Sequence, residues 1–276
     1  MKIRSVIIFA GLIFAAGLVQ AQEHEGVTLV EASLIADSET LVPGRGVTVA
    51  VRLDIAEDWH TYWENPGDSG APMRIEWEAP EGVRIGPIHW PLPYKLVEPG
   101  NLKVYAYKEE VLLLARVFAS PGLDLDEVTI RATADWLVCR ELCLPGEAEF
   151  SLTLAVAEER EPVHEELFAK HRERLPRRFA LDDNGIETRW ERDGNTMYLL
   201  LKNVSEDVSV DFFPLLQTGV LPGHASKTDS WPGEGDFVPD RVLEIPLDTA
   251  PADLRELKGV LVVEEDGGGR RTGLIL

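Results

Sequence analysis

Two cysteines, Cys139 and Cys143, are the only thiols in the sequence, and three residues separate them. They stand in the segment WLVCRELCLPG (136–146), which is largely apolar and ends in Pro-Gly. A pair this close can form an inert disulfide, bind a metal ion or exchange electrons. A small disulfide ring removes little entropy from the unfolded chain and therefore adds little to the stability of the fold. The spacing favours a redox-active pair, while the inert disulfide and the metal site stay open as alternatives.

The residues around the pair bear on both the redox and the metal alternative. Arg140 lies between the cysteines, where its charge would stabilise a thiolate. Zinc would need two ligands beyond the thiolates, whereas copper(I) would accept the thiolates with a histidine. Among the six histidines, His60 and His89 share the predicted domain of the cysteines and stand beside tryptophans. They are the candidate additional ligands for a metal at Cys139 and Cys143.

The elements that must position the cysteines are predicted to be β-strands. Residues 46–55 (GVTVAVRLDI) alternate between apolar and other residues, as a half-buried strand does. Similar strands recur with Gly/Pro turns between them up to residue 157, which is typical of an immunoglobulin-like β-sandwich. Strands at 128–137 and 148–156 flank the cysteines. The pair is therefore expected in or beside an antiparallel hairpin, and residues 98–103 (EPGNLK) in an exposed loop.

The N-terminus has the pattern of a secretory signal peptide. Lys2 and Arg4 precede an apolar run at 6–18, and Val19-Gln20-Ala21 fits a cleavage site after Ala21. We therefore expect residues 1–21 to be removed and the rest to be exported with no membrane span. Outside the cytoplasm a cysteine pair meets an oxidising environment.

The charge of the chain argues against nucleic acid as a partner. The sequence carries 48 acidic against 27 basic residues, for a formal net charge of −21. Such a field repels nucleic acid and anionic membrane surfaces. With 276 residues, of which 45% are hydrophobic, the chain can bury a core without a staple. A disulfide is thus not needed for folding, which favours a chemical role for the cysteines.

The pattern changes after residue 157. Residues 158–180 are highly charged with a narrow apolar stripe, which predicts an amphipathic linker helix between Pro162 and Pro176. Residues 181–276 return to short predicted strands and contain no cysteine. The expected organisation is all-β: a signal peptide (1–21), a cysteine-bearing sandwich (22–157), a helical linker (158–180) and a second, smaller β domain (181–276).

Four motifs together resemble a known family. DWHTYWENPGD (58–68), HWPLP (89–93), VYAY (104–107) and WLVCRELCLPG (136–146) are similar to the periplasmic N-terminal domain of the DsbD/ScsB thiol–disulfide interchange proteins. The resemblance covers roughly residues 26–157. The spacing of the cysteines is closer to that of the ScsB-like branch.

The resemblance implies a protein-disulfide reductase-like function without a cofactor. Cys139 and Cys143 would take electrons from a membrane-embedded donor and pass them to thioredoxin-like periplasmic proteins. A hydrophobic cap would lie at residues 94–107. The residues expected to support or shield the pair are Tyr62, Trp63, Tyr105, Tyr107, Trp136 and Arg140. Because the sequence shows neither a transmembrane electron hub nor a C-x-x-C motif, the donor would be a separate protein.

Overall fold

The structure is a computed structural model that describes residues 19–179, 185–229, 231, 233, 236–267 and 269–276. Most of the predicted signal peptide, residues 1–18, lies outside the described residues. Gln20 and Ala21, on the N-terminal side of the predicted cleavage site, begin the first strand. No helix among the described residues is long and apolar enough to cross a membrane.

Strands dominate the described part of the chain, as predicted for an all-β protein. Those before residue 157 are β1 (Gln20–His24), β2 (Val27–Ala36), β3 (Thr40–Leu41), β4 (Gly46–Ile55), β5 (Thr61–Gly67), β6 (Arg74–Glu78), β7 (Val83–His89), β8 (Tyr94–Glu98), β9 (Leu102–Tyr107), β10 (Glu110–Ala119), β11 (Glu127–Cys139) and β12 (Cys143–Val156).

Two of the sheets form a sandwich. One has the strand order β1-β2-β4-β10-β7 and the other β3-β12-β11-β6. The alternation that predicted β4 is realised: Val47, Val49, Val51, Leu53 and Ile55 all join the main core. Alternate residues of β11 and β12 face the same core from the other sheet. The core between two inward faces explains the period-two pattern of the sequence.

A third sheet, with the order β5-β9-β8, lies beside the sandwich. It is antiparallel, and β9 is its central strand. Glu98 ends β8 and Leu102 begins β9, so most of the loop expected at 98–103 is the end of a hairpin. This sheet carries residues that reach the cysteines.

The predicted linker helix is shorter than its charge pattern indicated. Helix α1 spans Glu165–Glu173 and is the one helix among the described residues. Residues 159–163 instead run along the sandwich edge, where the backbone N–H of Glu39 donates to Glu161. Those backbone groups are thus used in tertiary hydrogen bonds and are not available to a helix. Phe168 on α1 is fully buried against the outer face of β4 and β10, so the helix is packed on the sandwich.

The C-terminal half, residues 185–276, contributes two sheets, one of which also includes a short strand from the segment before it. Their strands are β13 (Arg177–Arg178), β14 (Glu187–Asp193), β15 (Thr196–Lys202), β16 (Val208–Pro214), β17 (Leu221–Pro222), β18 (Ser226–Thr228), β19 (Arg241–Thr249), β20 (Gly259–Glu265) and β21 (Arg271–Ile275). One sheet has the order β13-β21-β20-β16, and the other β14-β15-β19-β17 with β18 also on β19. A second core lies among these strands. Phe213, Val260 and Val262 nevertheless belong to the main core, so the two halves are packed together.

Candidate redox site

The hairpin of β11 and β12 places the two cysteines opposite each other. The ladder begins at Glu127 and Ala155 and ends at the pair Cys139 and Cys143. These two residues are joined by a disulfide, with their Cα atoms 4.2 Å apart. Residues 140–142 form the turn. The disulfide therefore caps the end of a long hairpin that backbone hydrogen bonds already hold together.

The two sulfur-bearing residues differ in their exposure to solvent. Cys139 is 1% exposed and packs in a small cluster with Tyr62, Val104 and Ala106. Cys143, on the other strand of the turn, is exposed. An incoming thiolate can therefore approach Cys143, whereas Cys139 is covered by β5 and β9.

The backbone of His60 fixes the position of Cys139. The N–H of His60 donates to the carbonyl of Cys139 at 3.0 Å, and the N–H of Cys139 donates back at 2.9 Å. This isolated antiparallel bridge joins the segment before β5 to the end of β11. It brings the side chains of His60 and Tyr62 to the disulfide.

A carboxylate from β8 completes the site. Glu98 Oε1 accepts a hydrogen bond from the Tyr62 hydroxyl at 3.0 Å and lies 2.8 Å from Nε2 of His60. The Tyr62 hydroxyl is also 3.7 Å from Sγ of Cys143. Only 12% of the Glu98 side chain is exposed. A polar chain thus connects a mostly buried carboxylate to the more exposed sulfur.

Burial sets the protonation of these side chains. Desolvation raises the pKa of Tyr62 far above its ordinary value, and the negative charge of Glu98 adds to the effect. Tyr62 therefore remains a neutral donor. Desolvation also lowers the pKa of His60, although the hydrogen bond and charge of Glu98 oppose this shift. The site thus favours a neutral imidazole on His60.

Gly70 leaves room for Tyr62. Its φ is +90°, in the region that favours glycine, and a Cβ there would overlap the Tyr62 ring. The turn after β5 therefore packs its backbone directly on the tyrosine. This close approach holds the hydroxyl near Cys143 and Glu98.

Comparison with known proteins agrees with this geometry. Residues 31–155 match the family model for the N-terminal domain of the thiol:disulfide interchange protein DsbD. The matched region contains both cysteines, Tyr62 and Glu98. Residues 31–155 form a domain of the DsbD N-terminal family. Thiol–disulfide interchange is accordingly the general chemistry of this module.

A solved structure extends the likeness in fold beyond that region. The N-terminal periplasmic domain of ScsB from Proteus mirabilis aligns over 93% of this chain and 96% of its own, with 18% identity and a TM-score of 0.62. At this identity the match establishes a shared fold. The E. coli chaperone DraB aligns over 89% of this chain and 99% of its own at 12% identity, but its TM-score of 0.22 supports no conclusion. A search of curated proteins found no match.

The other residues expected to support or shield the pair lie in several places within residues 31–155. Trp63 and Tyr105 are on the opposite face of their sheet from Cys139 and pack against Phe213. The Tyr107 hydroxyl donates to the carbonyl of Pro91 at 2.7 Å. None of Trp63, Tyr105 and Tyr107 belongs to the cluster around Cys139.

Trp136 and Arg140 lie on the cysteine hairpin itself. Trp136 is buried and donates from Nε1 to the side chain of Gln22 on β1. Arg140 is exposed in the turn, with its guanidinium 5.1 Å from the centre of the Trp59 ring. Its positive charge therefore stays beside the disulfide.

The histidines considered as metal ligands are separated by the fold. His60 is at the site and is held by Glu98. His89 ends β7, in the five-stranded sheet of the sandwich, and its side chain is exposed. Among the described residues, no three or more of His, Cys, Asp and Glu are grouped to hold a metal ion.

Sequence reasoning missed Glu98, because it precedes Pro-Gly in a stretch that resembles an exposed loop. The signal that was available is the β-forming content of residues 94–98 (YKLVE), which predicts a strand when it is read together with 102–107. No pattern in the sequence shows that Glu98 meets His60 across 38 positions.

Proposed function

We propose that this chain is a periplasmic thiol–disulfide interchange protein. It passes electrons through Cys139 and Cys143 between a separate membrane donor and thioredoxin-like or other client proteins. The proposal of a periplasmic location draws on the expected signal peptide and on the periplasmic ScsB domain that shares the fold. The family match to a thiol:disulfide interchange domain supports the chemistry.

One observation carries the proposal: the disulfide joins an exposed cysteine to a buried one at the end of a hairpin that does not need it. Because β11 and β12 are 13 and 14 residues long, their ladder can keep the hairpin when the bond is reduced. A three-residue loop also offers little entropic stabilisation. The unequal exposure gives each sulfur a distinct role.

The first half of the cycle reduces the pair. A thiolate of the donor attacks Sγ of Cys143, forming a mixed disulfide and releasing Cys139 as a thiolate. The second thiol of the donor, as a thiolate, then attacks its own sulfur in the mixed disulfide, which releases Cys143. The donor leaves as a disulfide, and two electrons now reside on Cys139 and Cys143.

The second half reverses these roles on a client. The Cys143 thiolate attacks the client disulfide, so that one client sulfur leaves as a thiolate. Cys139 then attacks Sγ of Cys143 and expels the other client sulfur. The client is reduced to a dithiol, and the Cys139–Cys143 disulfide forms again.

Tyr62 and Glu98 have a role in both halves. The one proton of the Tyr62 hydroxyl goes to Glu98 in the oxidised state, and the hydroxyl is close enough to Cys143 to turn and donate that proton to a thiolate, which favours the charged sulfur. Glu98 orients the hydroxyl by accepting from it in the oxidised state. The neighbouring Arg140 adds a positive charge at the exposed turn, and Leu142, 49% exposed, offers an apolar contact to a partner.

The test is to measure the reduction potential of the protein in glutathione buffers and to trap its exchange intermediate. We expect Cys139→Ser, which leaves Cys143 free, to form a stable mixed disulfide with a thioredoxin-like protein. Cys143→Ser is the matched control and should trap far less, because Cys139 is buried. A potential below about −300 mV, as inert structural disulfides show, would contradict the proposal. So would equal trapping by both variants.

A further inference from the structure

The three-stranded sheet of β5, β9 and β8 has two faces with different contacts. Val104 and Ala106 of β9, with Tyr62 of β5, form the face that packs on Cys139. The next residues along the same strands, Trp63 and Tyr105, point the other way. Because side chains alternate between the two faces of a strand, one face of this sheet contacts the disulfide and the other face contacts a different part of the molecule.

The C-terminal half packs on the face of this sheet that carries Trp63 and Tyr105. Phe213 of β16 packs on Tyr105, with ring centres 4.5 Å apart, and on Trp63 at 6.3 Å. Phe213 and Tyr105 are 1% and 0% exposed. The contact between sheet and C-terminal half is therefore a closed apolar interface, continuous with the main core.

A histidine from the C-terminal half bonds two segments of this sheet. Nδ1 of His224 lies 2.9 Å from the Tyr105 hydroxyl on β9. Nε2 of the same ring lies 3.0 Å from the carboxylate of Asp68, in the turn that follows β5. The His224 side chain is 10% exposed. One nearly buried imidazole thus holds β9 and the end of β5 at once.

The remaining strand, β8, has its own connection to the C-terminal half. Nζ of Lys95 lies 2.8 Å from Asp211 and donates to the carbonyl of Ala225 at 3.2 Å. Lys95 precedes Glu98 by three positions on the strand that carries this carboxylate to Tyr62. Every strand of the sheet is therefore tied to the C-terminal half.

We propose that the C-terminal half is the platform that holds this sheet against the disulfide, with Tyr105 and His224 as its positioning residues. This inference rests on the function proposed above and assigns a role to residues that do not touch either sulfur. The platform keeps Cys139 covered and Tyr62 beside Cys143, so that exchange takes place only at Cys143. Loosening it would uncover Cys139 as a second point of attack.

The test compares the rate constants with which dithiothreitol reduces the disulfide in the full-length protein. Tyr105→Phe removes only the hydroxyl and His224→Ala removes the ring. We expect each to accelerate reduction by about fivefold or more, as the loss of one net hydrogen bond permits. The double variant should be no faster than His224→Ala alone, because that change already breaks the hydrogen bond to Tyr105 together with the contact to Asp68.

Two further variants separate positioning from general loss of stability. His171→Gln alters another buried histidine that pairs with a carboxylate, Glu110, on the far side of the sandwich; it should lower the thermal midpoint without accelerating reduction. His224→Gln can keep one of the two hydrogen bonds and should restore part of the slow rate. Unchanged or slower reduction in Tyr105→Phe and His224→Ala, or equal acceleration by His171→Gln, would overturn the platform.

The outcome is independent of the proposed function, because dithiothreitol reduces any accessible disulfide. Altered rates in a protein that forms no mixed disulfide with clients would overturn the exchange function alone. Unchanged rates in a protein that does exchange with clients would overturn the platform alone.

Discussion

The hydroxyl of Tyr62 lies 3.7 Å from Sγ of Cys143 and donates a hydrogen bond to Glu98 at 3.0 Å. A single buried phenol thus connects the exposed sulfur to an acidic residue. Four predictions follow from this site and from the residues that support it.

Tyr62→Phe should make Cys143 less reactive in the reduced protein. Without the hydroxyl, the thiolate loses a hydrogen-bond donor, so a smaller share of Cys143 carries the reactive negative charge. Alkylation by iodoacetamide near neutral pH would then slow by up to about tenfold. Tyr198→Phe, the same chemical change on β15, is the control. Identical pH profiles for Tyr62→Phe and the parent protein would contradict the role of the hydroxyl.

Gly70→Ala should destabilise the protein more than an alanine at another glycine with positive φ. The new Cβ would collide with the Tyr62 ring, in addition to the backbone penalty at φ +90°. We expect a loss of about 2–3 kcal/mol in the free energy of unfolding, measured with urea. Gly219→Ala is the matched control, because its φ is +73° and nothing lies within 4 Å of the added Cβ. Equal losses in the two variants would show that Tyr62 is not packed on Gly70.

Reducing the Cys139–Cys143 disulfide should leave the protein folded. The loop entropy of so short a ring accounts for only about 2 kcal/mol, and the β11–β12 ladder remains. Thermal unfolding followed by circular dichroism, with and without reductant, measures this difference. The Cys139→Ser/Cys143→Ser double variant, which lacks the bond permanently, should match the reduced protein. Collapse of the fold on reduction would mean that the bond is structural.

Stability should fall as the pH drops through the range in which histidine titrates. Burial is the largest cause of the lowered pKa values of His60, His171 and His224. The unfolded chain therefore binds protons first, below about pH 6.5, and the folded state loses stability until its own lowered pKa values are passed. Asp68 and Glu110 also have lowered pKa values, but their contributions are lost only at more acidic pH.

Urea unfolding at about pH 7.5 and about pH 5.5 measures this loss. His171→Gln should lose less stability over the interval than the parent protein, because it removes one of the three buried imidazoles. His89→Gln controls for the loss of a histidine at an exposed position. An undiminished loss in His171→Gln would contradict the assignment.

Much of the fold could be predicted from local pattern. The alternation at Gly46–Ile55 predicted β4 with its bounds, and the predicted strands at 128–137 and 148–156 placed the cysteines in or beside a hairpin. These predictions succeeded because a strand with one buried face must repeat its apolar residues every second position. The helix prediction was too long because charge pattern does not reveal that residues 159–163 bond to the sandwich edge.

By itself the sequence determined most of the strands of the sandwich, the closeness of the two cysteines and the family of their domain. Only the tertiary structure decided that Tyr62 faces the disulfide while its neighbour Trp63 faces the C-terminal half. It also decided that Glu98 reaches His60, and that Cys139 is buried while Cys143 is exposed. The physical reason is that a strand's periodicity defines two faces, whereas the stacking of whole sheets decides what each face meets.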